Sequence, residues 1–249
     1  YLDIVNLPGR ANKISIVEKN AFIACGASYY HNDWNGVCVL DVNDPRNATI
    51  VSSIKTPNHA KDIFIKNKNA IVADSGIGLQ IIDISDLENP YTKGSVFTPG
   101  KASCVTAIDQ TALIGDSSGL QLIDISEPEA SAVISSLDLS GTAFDITMVD
   151  QYAVVACRGS NDGWNGLRVI DLSSAPDPTI YSSLKIEGYV TDVVILDRTA
   201  YISCGSRPFT TYLNQLYTVN LEDLRNPRIL GSLEIPSYPN EVAIAGQTA

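Results

Sequence analysis

Five short apolar runs recur along the chain, each opening after a glycine or a polar loop and closing on Asp or Asn. Residues 119–126 read GLQLIDIS, 78–85 GLQIIDIS, 36–43 GVCVLDVN, 166–173 GLRVIDLS and 215–222 QLYTVNLE, the most worn copy. Around them Val, Ile and Leu alternate with Gly, Pro, Asp and Ser punctuation, the pattern of strands and hairpins. No segment sustains a helical period. The shortest unit reads as four strands, here a to d, over residues 103–108, 111–115, 120–125 and 132–139. Pro128 and its counterparts Pro45, Pro90 and Pro227 cannot donate to a ladder and therefore fall in the c–d connection.

The turns that open the units are Pro8-Gly9, Pro57-Asn58, Pro99-Gly100, Ser140-Gly141, Glu187-Gly188 and Pro236-Ser237, spaced by 41 to 49 residues. A four-stranded antiparallel sheet repeated at that period predicts an all-β fold, a β-propeller. A blade covered on both faces explains why strand c is nearly continuous apolar rather than strictly alternating. The expectation is a single propeller domain over 1–249, with blades at about 8–56, 57–98, 99–139, 140–186 and 187–235. Residues 1–7 (YLDIVNL) read as a strand d and 240–245 as a strand a, so 1–7 and 236–249 are expected to be parts of a sixth blade. The chain then reads as a fragment of a six-bladed or larger ring.

The motif in Leu122-Ile123-Asp124, Ile81-Ile82-Asp83, Val39-Leu40-Asp41 and Val169-Ile170-Asp171 resembles the LVIVD repeat. The resemblance covers nearly the whole chain; the fifth unit, with Thr218-Val219-Asn220, departs most. It implies bacterial or archaeal proteins with propeller-like repeats, many of them secreted or at the cell surface. It supplies no shared catalytic residues to carry over.

Charge narrows the partners. Lys plus Arg number 17 and Asp plus Glu 28, for a net charge of −11. Such a surface argues against nucleic acid and against anionic membranes. No apolar run approaches the roughly 20 residues of a membrane-spanning helix. The chain begins at Tyr1 without Met. The five cysteines, Cys25, Cys38, Cys104, Cys157 and Cys204, form no disulfide framework by spacing. Cys25, Cys157 and Cys204 share one repeat position at the end of strand b and read as small buried hydrophobes.

The aspartates that close strand c, Asp41, Asp83, Asp124 and Asp171, with Asn220, recur in every unit. There they accept from the backbone two residues on and fix a turn. Repetition in all blades makes them scaffold. The start of strand a holds Lys13, Asp62, Cys104, Asp145, Asp192 and Glu241. Strand a is innermost in a propeller, so these should ring the mouth of a central channel. Asp62, Asp145, Asp192 and Glu241 are read as oxygen ligands for a calcium or magnesium ion. The alternative is a hydrated channel whose carboxylates are satisfied by neighbouring backbone N–H groups. No cofactor is required.

The b–c connection lengthens in three units, over residues 27–35 (ASYYHNDWN), 159–165 (GSNDGWN) and 206–214 (SRPFTTYLN). These insertions carry Tyr29, Tyr30, His31, Trp34, Asn35, Trp164, Asn165, Phe209 and Tyr212. Loops that lengthen and recruit aromatics are usual places for binding. The competing reading packs each Trp back over its blade edge. Alternating strand directions put the b–c loops on the same face as the d–a connections, which supply Arg10, His59, Lys101, Tyr189 and Tyr238. Trp34, Trp164, Tyr30, Asn35, Asn165, Arg10, His59 and Tyr189 are the expected ligand-binding residues. Catalytic signatures are thin: the sequence has two histidines and no HExxH or P-loop. The leading reading is a non-catalytic cell-surface or secreted propeller that binds a protein or polysaccharide. The alternatives are a metal-dependent hydrolase or lyase using an acidic channel, and a structural spacer.

Overall fold

The computed structural model describes residues 4–26, 34–159, 164–205 and 214–244. These fold as five four-stranded antiparallel β-propeller blades, each with its strands paired in chain order. Blade one is β1 (Arg10–Val17), β2 (Asn20–Gly26), β3 (Gly36–Asp41) and β4 (Thr49–Lys55). Blade two is β5 (Asp62–Lys66), β6 (Asn69–Asp74), β7 (Gly78–Asp83) and β8 (Tyr91–Val96). Blade three is β9 (Cys104–Ile108), β10 (Thr111–Asp116), β11 (Gly119–Asp124) and β12 (Ala132–Leu137), with a short 3₁₀ turn at Pro128–Ala130. Blade four is β13 (Gly141–Val149), β14 (Tyr152–Gly159), β15 (Asn165–Asp171) and β16 (Thr179–Lys185). Blade five is β17 (Tyr189–Leu196), β18 (Thr199–Gly205), β19 (Gln215–Asn220) and β20 (Arg228–Glu234). No helix among the described residues is long and apolar enough to cross a membrane.

The chain divides into two compact units, residues 1–117 with 121–134 and residues 118–120 with 135–249. In the first, Phe22, Ala24, Val37 and Val39 of blade one pack against Ile63, Ala70, Val72 and Ile82 of blade two. The opposite face of blade two, Ile71, Ala73, Leu79 and Ile81, packs against Val105, Ala112, Ile114 and Ile123 of blade three. Successive residues of one strand thus serve opposite neighbours, which is why β6 and β7 are nearly continuous apolar. In the second unit Val154, Ala156, Leu167 and Val169 of blade four meet Val193, Ala200, Ile202 and Val219 of blade five. Each fully buried Val, Leu, Ile or Phe among them contributes roughly 1.5–3 kcal/mol.

The recurring letters have recurring jobs. Asp41, Asp83, Asp124, Asp171 and Asn220 each accept the N–H two residues on, from Asn43, Ser85, Ser126, Ser173 and Glu222, at 2.8–2.9 Å. A second such turn follows in blades one, two and five. Asp44, Asp86 and Asp223 accept from the backbone of Arg46, Glu88 and Arg225 and from the side chains of Asn47, Asn89 and Asn226. The glycine before strand c has positive φ in four blades, +102° at Gly78. A Cβ at Gly78 would stand 2.6 Å from the Val96 carbonyl oxygen and from the Thr98 nitrogen, so strand d leaves no room for one.

Among the described residues the expected pieces of a sixth blade are not found; 1–3 and 245–249 lie outside them. Residues 4–7 and 240–244 carry no strand, and no sheet beyond the five occurs among the described residues. Val5 and Leu7 instead pack on the second face of blade one, over Ala21, Ile23, Cys25, Cys38 and Leu40. An alternating run makes a strand only where a partner edge accepts it, and here side-chain burial takes the apolar positions without a ladder.

Gly78→Ala is expected to lower stability by about 2–3 kcal/mol in urea unfolding, through the strained φ and the strand-d clash. Gly231→Ala, which meets only Thr218 Oγ1 at 3.8 Å, should change it by less than about 0.5 kcal/mol. Equal effects would contradict the steric account. A second test is acid. Ser85, through its hydroxyl and its N–H, and Lys93 at 3.2 Å hold Asp83 down to about 2. Its unfolded carboxylate titrates near pH ~3.9, so its contribution is full above about pH 4 and is lost as pH falls through 2. Asp83→Asn should flatten the stability curve between pH ~4 and ~2; an unchanged acid limb would count against this assignment.

Candidate functional site

The aspartates at the start of strand a accept backbone N–H groups from outside their own blade. Asp62 Oδ1 accepts the Ile63 N–H at 2.8 Å, and its Oδ2 accepts the Val105 N–H of blade three at 2.8 Å. In the second unit Asp145 Oδ2 accepts from Val193 of blade five and Asp192 Oδ2 from Val242, both at 2.8 Å. All three residues are buried. A β-bulge precedes Asp145 and Asp192, at Phe144 and Thr191, and turns the carboxylate toward the next blade. Blade one has the same bulge before Lys13, and there Asn12 Nδ2 reaches the Ala60 carbonyl at 2.7 Å. Glu241 is exposed beside Val242. Among the described residues no three or more His, Cys, Asp or Glu side chains are grouped to hold a metal ion.

A second buried carboxylate went unrecognised in the sequence. Where Cys25, Cys157 and Cys204 end strand b, blades two and three carry Asp74 and Asp116. Asp74 Oδ2 accepts the Asn58 N–H and Asp116 Oδ2 the Gly100 N–H, both at 3.0 Å, which ties the d–a turn to strand b. Burial raises the Asp74 pKa against the lowering effect of Asn58, Thr56 and His59. The distinguishing signal is loop length: Asp occurs where the b–c turn is short, Cys where it is long. Burial pushes the Cys157 and Cys204 thiols up to about 12, so neither is a thiolate at neutral pH.

The expected ligand-binding residues fall into two groups, one in each unit. In the first, Trp34 packs on the blade-one cluster with Val5 and Leu7, and its ring crowds Gly9 and Gly36. Arg10 pairs with Gly26 across the sheet, and the His59 ring lies against Gly26. The Asn35 carbonyl accepts the Thr56 N–H at 3.2 Å. Arg10, Trp34 and His59 are thus brought to one end of blade one. Tyr29, Tyr30, His31, Phe209 and Tyr212 lie outside the described residues.

In the second unit Trp164 is held by a cation. The Arg168 guanidinium sits 4.1 Å from its ring centroid, with Arg168 Nε donating to the Leu139 carbonyl at 3.0 Å and Nη1 to Ser183 Oγ at 2.9 Å. The Asn165 carbonyl accepts from Ile186 at 2.9 Å. Tyr189 belongs to a grouping the sequence pattern hid. The Arg158 guanidinium lies 3.6 Å from the Phe144 ring centroid and 5.1 Å from that of Tyr189, and Nε donates to the Val190 carbonyl at 2.6 Å. The Tyr238 ring covers Gly205. The residue after strand b's last position therefore touches the third residue of the next d–a turn three times over, as Gly26/His59, Arg158/Tyr189 and Gly205/Tyr238. Arg158 stands where the other blades have Gly26, Ser75, Ser117 and Gly205, and that departure is the signal that marks it.

Comparison with family models completes the assignment. The LVIVD-repeat model matches at residues 8–56, 57–98, 99–138 and 140–185. The chain belongs to the LVIVD-repeat family. Blade five lies outside the match, in keeping with its worn motif. No curated protein matches. Among solved structures, a functionally unknown protein from Desulfotomaculum acetoxidans DSM 771 aligns with TM-score 0.72 at 14% identity, over 93% of this chain and 72% of that one. Kuenenia stuttgartiensis hydrazine synthase aligns with TM-score 0.71 at 11% identity, over 95% and 69%. The β-propeller domain of Myceliophteria thermophila Cps50 (Swd1) aligns with TM-score 0.64 at 15% identity, over 88% and 69%. At these identities the likeness is one of fold.

In this LVIVD-repeat protein Asp145→Ala leaves the buried Val193 N–H without its acceptor. Urea unfolding should show a loss of roughly 1–3 kcal/mol, and Asp145→Asn, which keeps an acceptor oxygen, a smaller one. Calcium at millimolar concentration should leave the wild-type melting temperature unchanged. A calcium-dependent rise abolished by Asp145→Ala would instead assign the carboxylate to a cation.

Proposed function

We propose that the chain is a non-catalytic binding module of a secreted or cell-surface protein, engaging a protein or polysaccharide through the ends of the blades that carry the b–c and d–a loops. The observation that carries this reading is the blade-four end of the second unit. There two guanidinium–aromatic pairs, Arg168 with Trp164 and Arg158 with Phe144 and Tyr189, stand within one blade and its neighbour. Planar cations on aromatic rings are rigid, amphipathic contact groups of the kind that dominate binding energetics. The residues repeated from blade to blade are used internally, the strand-c Asp and Asn in Asx turns and three of the strand-a aspartates in bonds beyond their own blade. That leaves the non-repeated side chains for a partner. The extracellular setting is what the family resemblance implies.

The test is a screen of the immobilised chain against polysaccharides and secreted proteins, repeated with Trp164→Ala. A partner of the wild type should bind the variant about tenfold or more weakly at unchanged melting temperature. A partner bound equally by both would place recognition elsewhere. Turnover of a bound polysaccharide would overturn the non-catalytic reading.

A further inference from the structure

Arg158 is the one cation among the residues at its repeat position, and its partners among the described residues are neutral. It is half-buried at the end of β14. Its guanidinium is stacked on Phe144 at 3.6 Å, faces Tyr189 at 5.1 Å, and gives Nε to the Val190 carbonyl. The Tyr238 side chain adds a hydrogen bond. Every one of these partners is uncharged, and among the described residues Arg158 makes no ion pair. Burial accordingly weakens its hold on the proton, while Tyr238 offsets part of that. A guanidinium taken partly out of water without a counter-charge is a costly arrangement that an anion relieves. Aromatic walls also lower the local dielectric and strengthen the attraction to an incoming charge.

The kind of anion follows from charge and shape. A guanidinium presents a planar fork that matches a carboxylate in two parallel hydrogen bonds. The chain carries a net charge of −11, so each additional negative charge on the ligand meets repulsion. That favours an isolated monoanion over a phosphate or a polyanion, and equally over an acidic peptide with several carboxylates. Tyr238, 45% exposed, offers a flat ring beside the cation. A pyranose carrying one carboxylate meets both features, its C–H face on the ring and its carboxylate on the fork.

Taking the chain as a binding module, as above, we propose that Arg158, walled by Phe144 and Tyr189 and flanked by Tyr238, is a carboxylate subsite for a uronic acid residue in an otherwise neutral polysaccharide. The probe is a neutral oligosaccharide bearing one glucuronic acid, titrated into the full chain and followed by amide chemical-shift changes. Comparison ligands are its methyl ester, the unsubstituted oligosaccharide and a neutral peptide with a free C-terminal carboxylate. The acid should bind the wild type, shifting amides around Arg158 and Tyr189, and the ester about tenfold or more weakly. Arg158→Lys keeps the charge without the fork and should lose about tenfold; Tyr238→Ala, at an exposed position, should lose several-fold at unchanged melting temperature. Equal binding of acid and ester overturns the proposal, as does wild-type affinity in both variants. So does binding of the peptide carboxylate without the uronate. A failure here alongside Trp164-dependent binding of some other partner removes the subsite and leaves the module reading intact. No binding of any partner removes both.

Discussion

A buried carboxylate that reaches out of its own blade to a backbone N–H of the next is the bond on which this architecture depends. Apolar packing between blades is non-directional and would tolerate sliding of one sheet over another. The bonds from Asp62 to Val105 and from Asp145 to Val193 fix the register of each pair at its innermost strand. Charge-assisted bonds to backbone N–H groups in a dry setting are short and directional. The outer strands are tied in the same spirit. Ser52 of β4 donates to the Leu87 carbonyl and Ser182 of β16 to that of Leu224, both at 2.5 Å, each in the c–d turn of the following blade. Blade two has Gly94 at the equivalent place, because the Pro128 carbonyl occupies the space a Cβ would need. Third-blade position Cys104 lacks the carboxylate.

Most of the fold was legible because it repeats. Five copies of an apolar run closed by Asp or Asn, four of them opened by glycine, specify strand c, the turn after it and the period, and the five Asx turns are all present. The glycine proved as informative as the aspartate, since it marks where strand d presses closest. The chain's first residues misled because alternation in YLDIVNL describes which side chains are buried, not what buries them; Val5 and Leu7 cover a blade face without joining a sheet. The acidic residues at the start of strand a drew two readings, a cation site and satisfaction by backbone donors. Asp62, Asp145 and Asp192 each have such a donor. Asp74 and Asp116 are hidden because the cysteines of the other three blades mark an apolar position, and a carboxylate in place of a thiol looks like noise until its hydrogen bond is seen.

Agreement between the copies marks the scaffold, and the guanidinium–aromatic contacts lie where the copies differ. Arg158 among Gly and Ser, and Arg168 where other blades have Cys38, Gln80, Gln121 and Tyr217, are such departures. Arg158 meets Phe144 and Tyr189 through cross-strand and cross-blade neighbours distant in sequence, whereas Arg168 stands four residues from Trp164 in the same blade. The tryptophans also differ in role. Trp34 belongs to the packing of blade one, as the competing reading held for it, while Trp164 is gripped by a guanidinium.

The central claim is that blade register rests on carboxylate-to-backbone bonds, and native-state hydrogen exchange tests it most directly. The Val105 and Val193 amides should exchange only through cooperative unfolding, with opening free energies that match the stability from urea and fall with denaturant at the full slope. Exchange of these amides at the rate of the exposed strand-d edges, insensitive to denaturant, would show that the bonds are not holding the blades and would contradict the account.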